Sequence, residues 1–121
     1  MIKPAQSRSD NMATALPSRA FIQIYTAAHD DSEPALIGVG ELVGMAPRDL
    51  RINLSQALKL GGIHDIAIET EGDLEPIFLS CELSRQSRSA EDPRWLLQFH
   101  ILNAIDTDLQ RWDALIGRYK R

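Results

Sequence analysis

The segment from Ile77 to Ser84, IFLSCELS, alternates Ile77, Leu79, Cys81 and Leu83 with Phe78, Ser80, Glu82 and Ser84. Successive side chains of a strand point to opposite faces, so a period of two in apolar character defines a strand with one buried face. The same pattern recurs along the chain. From Arg19 to Ala27, RAFIQIYTA sets Phe21, Gln23 and Tyr25 against Ile22, Ile24 and Thr26. After the polar run from His29 to Pro34, the stretch from Leu36 to Val43 resumes a strand pattern with Gly38 and Gly40 inside it. Interior glycines of that kind mark a bend or bulge where a sheet curls toward closure. Pro47 and Arg48 form a turn, and Leu50, Ile52 and Leu54 then alternate with Arg51 and Asn53. A connector ending at Gly61 and Gly62 is too short for a stable helix. Ile63, Ile66 and Ile68 form a fourth strand, IFLSCELS lies in a fifth, and RWLLQFHIL, from Arg94 to Leu102, makes a sixth after a polar loop from Arg85 to Pro93. Short strands at hairpin spacing predict a small antiparallel barrel or sandwich.

The ending changes period. Leu109, Trp112, Leu115, Ile116 and Tyr119 share one helical face, and Thr107 with Gln110 has the spacing of a capping box. Asp106 and Asp108 at the start and Arg118, Lys120 and Arg121 at the end match the helix dipole. The apolar stripe must be covered, and an end or face of the barrel is the nearest surface.

A length of 121 residues suits one domain: a flexible N-terminal tail over residues 1–17, then a barrel with a C-terminal helix over residues 18–121. With 44% hydrophobic and 25% charged residues the composition is that of a globular chain. Lys and Arg number 13 against 17 Asp and Glu, a net charge of −4, which gives no overall positive field to draw the chain to a nucleic-acid duplex. No apolar run suits export or membrane insertion, and the single cysteine suits a reducing compartment, so the expected location is the cytoplasm.

The strand order, the turn at Pro47 and Arg48, the glycine-ended connector and the closing RWLLQFHILNAIDTDLQRWDALI together resemble the PilZ domain, over roughly Ser18 to Gly117. The resemblance implies a six-stranded antiparallel β-barrel with a C-terminal α-helix, and a bacterial pathway of motility, pilus assembly, exopolysaccharide production or second-messenger signalling. Domains of this family bind cyclic di-GMP through an R-x-x-x-R pair, whose forked guanidinium groups meet phosphate and guanine, and a D/N-x-S-x-x-G motif. This chain departs from both. Arg19 stands where one arginine belongs, but Gln23 and Ala15 occupy the positions four residues away. Aligned on GMAPRD, the second motif puts Gly44 at Asp/Asn, Ala46 at Ser and Asp49 at Gly. A charge-assisted hydrogen bond contributes about 1.5–3 kcal/mol and a hydroxyl about 0.5–1.5. Losing one of each costs at least about 2 kcal/mol, roughly thirtyfold in affinity, before Asp49 repels an anion.

The expectation is therefore a non-catalytic adaptor that does not bind cyclic di-GMP usefully and acts through a protein partner. Its contact surface would include Arg48, Asp49, Arg51 and Trp95, with the loop from Arg85 to Pro93 and the helix as further candidates. A barrel short of closure would also allow a homodimer through strand edges or helices. The alternative is a cyclic di-GMP receptor with non-standard residues, Arg19, Arg48 and Arg51. Other chemistry finds no pattern. His29, His64 and His100 lack metal-ligand spacing, and Asp30, Asp31 and Glu33 lack the spacing of a calcium loop. Cys81 has no basic neighbour to activate it, and neither a nucleophile elbow nor a glycine-rich phosphate loop occurs, so no cofactor, metal or catalytic residue is expected. Trp112 suits the underside of the helix, and Trp95 either the barrel wall or an interface.

Overall fold

A computed structural model describes residues 20–26, 35–70, 75–88, 90, 92–104 and 106–119. The strands are β1 (Ala20–Thr26), β2 (Leu36–Ala46), β3 (Asp49–Leu54), β4 (Ile63–Thr70), β5 (Ile77–Arg88) and β6 (Trp95–Ile101), followed by the helix α1 (Leu109–Tyr119). All pairings are antiparallel, in the order β1-β2-β3-β6-β5-β4, and β1 pairs with β4 to close the barrel. This is the architecture that the PilZ resemblance implies. The expected tail over residues 1–17, Arg19, and the polar run from His29 to Pro34 lie outside the described residues.

Period-two alternation fills the interior. Ile22 and Ile24, Ile52 and Leu54, Ile66 and Ile68, Ile77, Leu79, Cys81 and Leu83, and Leu97 and Phe99 are all buried. Burial of this order contributes about 1.5–3 kcal/mol for each large aliphatic or aromatic side chain. Two irregularities re-aim the walls. Register shifts between Leu42 and Gly44, so that Leu42 and Met45 both face inward. A second shift, between Leu83 and Arg85, turns Arg85 outward opposite Gln98. β5 thus runs on to Arg88, through half of the segment expected as a polar loop. The bulge breaks the alternation there, and charged side chains then face solvent from a paired strand.

Closure also corrects the expectation of free strand edges. Every strand has two hydrogen-bonded neighbours, so no edge is left for a second copy to extend.

Each barrel end is sealed. At one, α1 inserts Trp112, Leu115 and Ile116, with Leu109 and Tyr119 packed against the core beside them. The Trp112 indole N–H donates to the carbonyls of Ala46 (3.1 Å) and Pro47 (3.2 Å), while Arg111 donates to those of Pro76 and Glu75, both at 2.8 Å. The helix starts one residue later than the capping box suggests. Asp108 O accepts from Trp112 N (3.0 Å), and the Thr107 hydroxyl donates back to Ala104 O (2.7 Å). Asp108 instead makes a reciprocal pair with β5, its N–H donating to Phe78 O (2.8 Å) and its Oδ2 accepting from Phe78 N (2.9 Å). At the other end Ile37, Leu58 and Trp95 pack against the core, and Gln86 holds the connector by accepting from Leu58 N (3.2 Å) and donating to Leu58 O (2.8 Å).

Gly40 is required by close packing. A Cβ there would come within 2.6 Å of both Asn53 O and Ile52 Cγ2. At Gly117, in α1, a Cβ would meet nothing within 4 Å. Gly40→Ala is expected to destabilise the fold by about 2 kcal/mol through overpacking, and Gly117→Ala to stabilise it by roughly 0.5–1 kcal/mol through helix propensity. Equilibrium urea unfolding of both variants checks the pair. Equal midpoints would contradict the bent packing of β2 on β3.

Candidate functional site

The outer wall of β3, β6 and β5 carries Asp49, Arg51 and Arg85, with Trp95 at its end and Arg48 in the adjoining turn. Register places Arg51 opposite Gln98 and Gln98 opposite Arg85, so a glutamine is flanked by two arginines in one row across three strands. At strand spacings near 4.8 Å their Cα atoms are roughly 10 Å apart. An open groove of about 500 Å³ runs over this row, lined by Arg51, Ser84, Arg85, Gln86 and Gln98 among others. In the next row His100 lies between Asp49 and Glu82, its Nδ1 3.6 Å from Asp49 Oδ1. The wall is thus cationic in one row and acidic in the next.

The motif positions have other occupations. The Arg51 stem lies across Gly44, where a Cβ would sit 3.2 Å from Arg51 Cβ, and Arg51 Nε donates to Gln98 Oε1 at 3.2 Å. Ala46 is buried, and its carbonyl takes the Trp112 indole N–H. Asp49 faces His100. Arg48 turns away from the wall to α1, its Nη1 2.8 Å from Asp113 Oδ1. With both side chains nearly half exposed, that ion pair contributes roughly 0–1 kcal/mol, enough to orient Arg48 but little to stability.

The structure therefore brings Asp49 and Arg51 onto one wall, holds Arg48 at its end, and packs Trp95 against the core with the Arg88 guanidinium 5.3 Å from its ring centroid. Arg85, expected within a candidate contact loop, instead lies in a paired strand beside Gln98, where the bulge at Ser84 places it; the Ser84 hydroxyl donates to Gln98 O (3.0 Å). Arg94 is held elsewhere, donating to Glu41 Oε1 (2.9 Å) and Asp92 Oδ2 (3.1 Å), and its hydrogen bonds keep the Asp92 carboxyl below the usual carboxylate range. Among the described residues no group of three His, Cys, Asp or Glu is placed to hold a metal. No described helix is long and apolar enough to cross a membrane.

A closed six-stranded antiparallel barrel followed by a single C-terminal helix has PilZ-like topology. Among solved structures the chain is similar to the Bacillus subtilis inhibitor of motility MotI/DgrA, with a TM-score of 0.58 and 10% sequence identity. The match covers 85% of this chain and 47% of that one, so this chain spans about half the length of the structure it matches. No family model and no curated protein sequence matches the chain.

Cys81 is buried in the core, and burial together with the Asp65 carboxylate pushes its thiol well above the usual range. It is expected to resist Ellman's reagent at pH 8 in the native protein and to react at once in denaturant. Rapid stoichiometric labelling of the native fold would contradict the closed interior.

Proposed function

We propose that this chain is a non-catalytic PilZ-like adaptor that acts through protein contacts and does not use cyclic di-GMP. One observation carries the reading: the first two positions of the family's second motif serve packing, and the third carries a carboxylate. Gly44 lies under the Arg51 stem, Ala46 is buried beneath Trp112, and Asp49 sets a carboxylate against His100. Nothing at Gly44 or Ala46 offers a side-chain hydrogen bond to a base, and Asp49 disfavours a phosphate beside it. The setting proposed for the adaptor is the cytoplasm of a bacterium, in a motility, pilus, exopolysaccharide or second-messenger pathway.

The Arg51–Gln98–Arg85 row supports a second reading, because two guanidinium groups flanking an amide suit a phosphodiester with a base attached. In that reading the chain is a cyclic di-GMP receptor using Arg51 and Arg85, with Arg48 drawn from Asp113. Calorimetry separates the two. The adaptor reading predicts no saturable heat with cyclic di-GMP up to about 100 μM. A dissociation constant below about 10 μM, lost in Arg51→Ala and in Arg85→Ala, would overturn it in favour of the receptor.

A further inference from the structure

The wall across the barrel from β6, formed by β2, β1, β4 and the first half of β5, differs from the groove wall. Its outward side chains fall into rows fixed by register. Val39, Gln23, Ala67 and Phe78 make one uncharged row across the four strands, in which Ala67 is buried and Val39 and Phe78 stand exposed at the two ends. Glu41, Phe21 and Glu69 lie on one side of it, and Leu36, Tyr25, Asp65 and Ser80 on the other, with Ile63 and Glu82 beyond. The large apolar side chains that stand about half exposed are concentrated here: Phe21, Leu36, Val39, Ile63 and Phe78 belong to this wall, and Leu60 alone lies elsewhere among the described residues. β1, β2 and β4 contain no Lys or Arg, and the one described cation that reaches this wall beside Phe21 and Val39 is Arg94, bonded to Glu41. Beside Phe78 an open groove of about 540 Å³ is lined by Tyr25, Asp65, Ser80, Asp106 and Thr107 among others, again without a Lys or Arg.

We propose that this wall docks a basic amphipathic helix of another protein. The proposal rests on the adaptor reading and gives the partner its chemistry. An uncharged row with Glu69 on one side, where Glu41 is already held by Arg94, and Asp65 on the other matches a helix whose apolar stripe is flanked by Lys and Arg. From Val39 to Phe78 the row crosses three strand spacings, about 14 Å, which is the rise of roughly ten helical residues. The groove beside Phe78 accepts one long cationic side chain, its stem against the aromatic rings and its head toward Asp65 and Asp106. A second copy of this chain fits poorly. A two-fold contact through the wall would bring one acidic face against another, and closure leaves no edge for strand addition. Anionic lipid is disfavoured by the same carboxylates.

The test uses the full chain, labelled with ¹⁵N, and three synthetic alanine-based helical peptides. One carries a leucine stripe flanked by arginines, one replaces the arginines with glutamates, and one replaces the leucines with serines. The basic amphipathic peptide is expected to shift the amides of Gln23, Ala67, Phe78 and Ser80, and the other two to bind at least about tenfold more weakly. Phe78→Ser and Glu69→Lys, both at exposed positions, are expected to weaken binding of the first peptide at least about tenfold while leaving the rest of the spectrum intact. No shift at about 1 mM peptide, shifts confined to the β3–β6–β5 wall, or equal affinity for either variant would overturn the proposal. Self-association in sedimentation, abolished by Phe78→Ser, would assign the wall to a second copy instead. Cyclic di-GMP binding at Arg51 would remove the adaptor reading without altering the peptide map, because the two walls lie across the barrel from each other.

Discussion

The pairing of β1 with β4 is the constraint on which the rest depends. Ile22 stands opposite Ile68 and Ile24 opposite Ile66, so β1 closes the sheet on itself. Without that seam the sheet would have two exposed edges and its inner face would meet water. With it, one face of every strand turns into a common interior, and the ends alone need covering. α1 covers one end through Trp112, Leu115 and Ile116, and the connector with Ile37 and Trp95 covers the other. Gly40 belongs to the same constraint, since β2 can bend onto β3 only where no Cβ stands between them.

Closure also decides what kind of recognition the surface can offer. A barrel without edges cannot bind by strand addition, so any partner or ligand must meet side chains on a wall or an end. The walls differ. The β3–β6–β5 side presents Arg51, Gln98 and Arg85 in a polar groove, and the opposite side presents half-exposed aromatic and aliphatic side chains among carboxylates. Of the positions aligned with the resembled family's second motif, Gly44 lies under the Arg51 stem, Ala46 is buried with its carbonyl on the Trp112 indole, and Asp49 faces His100.

Much of this was legible in the residues. The alternation in β5 and the stripe from Leu109 to Tyr119 state their periods locally, and both appear as expected up to the bulge and the helix start. The turn at Pro47 and Arg48 and the connector to Gly62 follow from local backbone chemistry in the same way. What stayed hidden depends on distant partners. The barrel itself followed from the resemblance, but the register that pairs β1 with β4 joins strands far apart in sequence, which no local pattern encodes. The bulge at Ser84 inverts the faces of the strand, so charged residues that read as a loop form a paired strand and bring Arg85 beside Gln98. The helix start moved because the Asp108 carboxylate found the Phe78 N–H, a tertiary contact that outweighs a local capping pattern. Arg48 could be singled out from sequence, but its engagement with Asp113 could not.

Native-state hydrogen exchange measures the seam directly. In a closed barrel the amides of β1 that point toward β4 are bonded as fully as those that point toward β2, so every amide from Ile22 to Ile24 should exchange as slowly as those of β6. Fast exchange of alternate β1 amides, with their neighbours protected, would show an open sheet edge at β1 and contradict the account of how this chain is built.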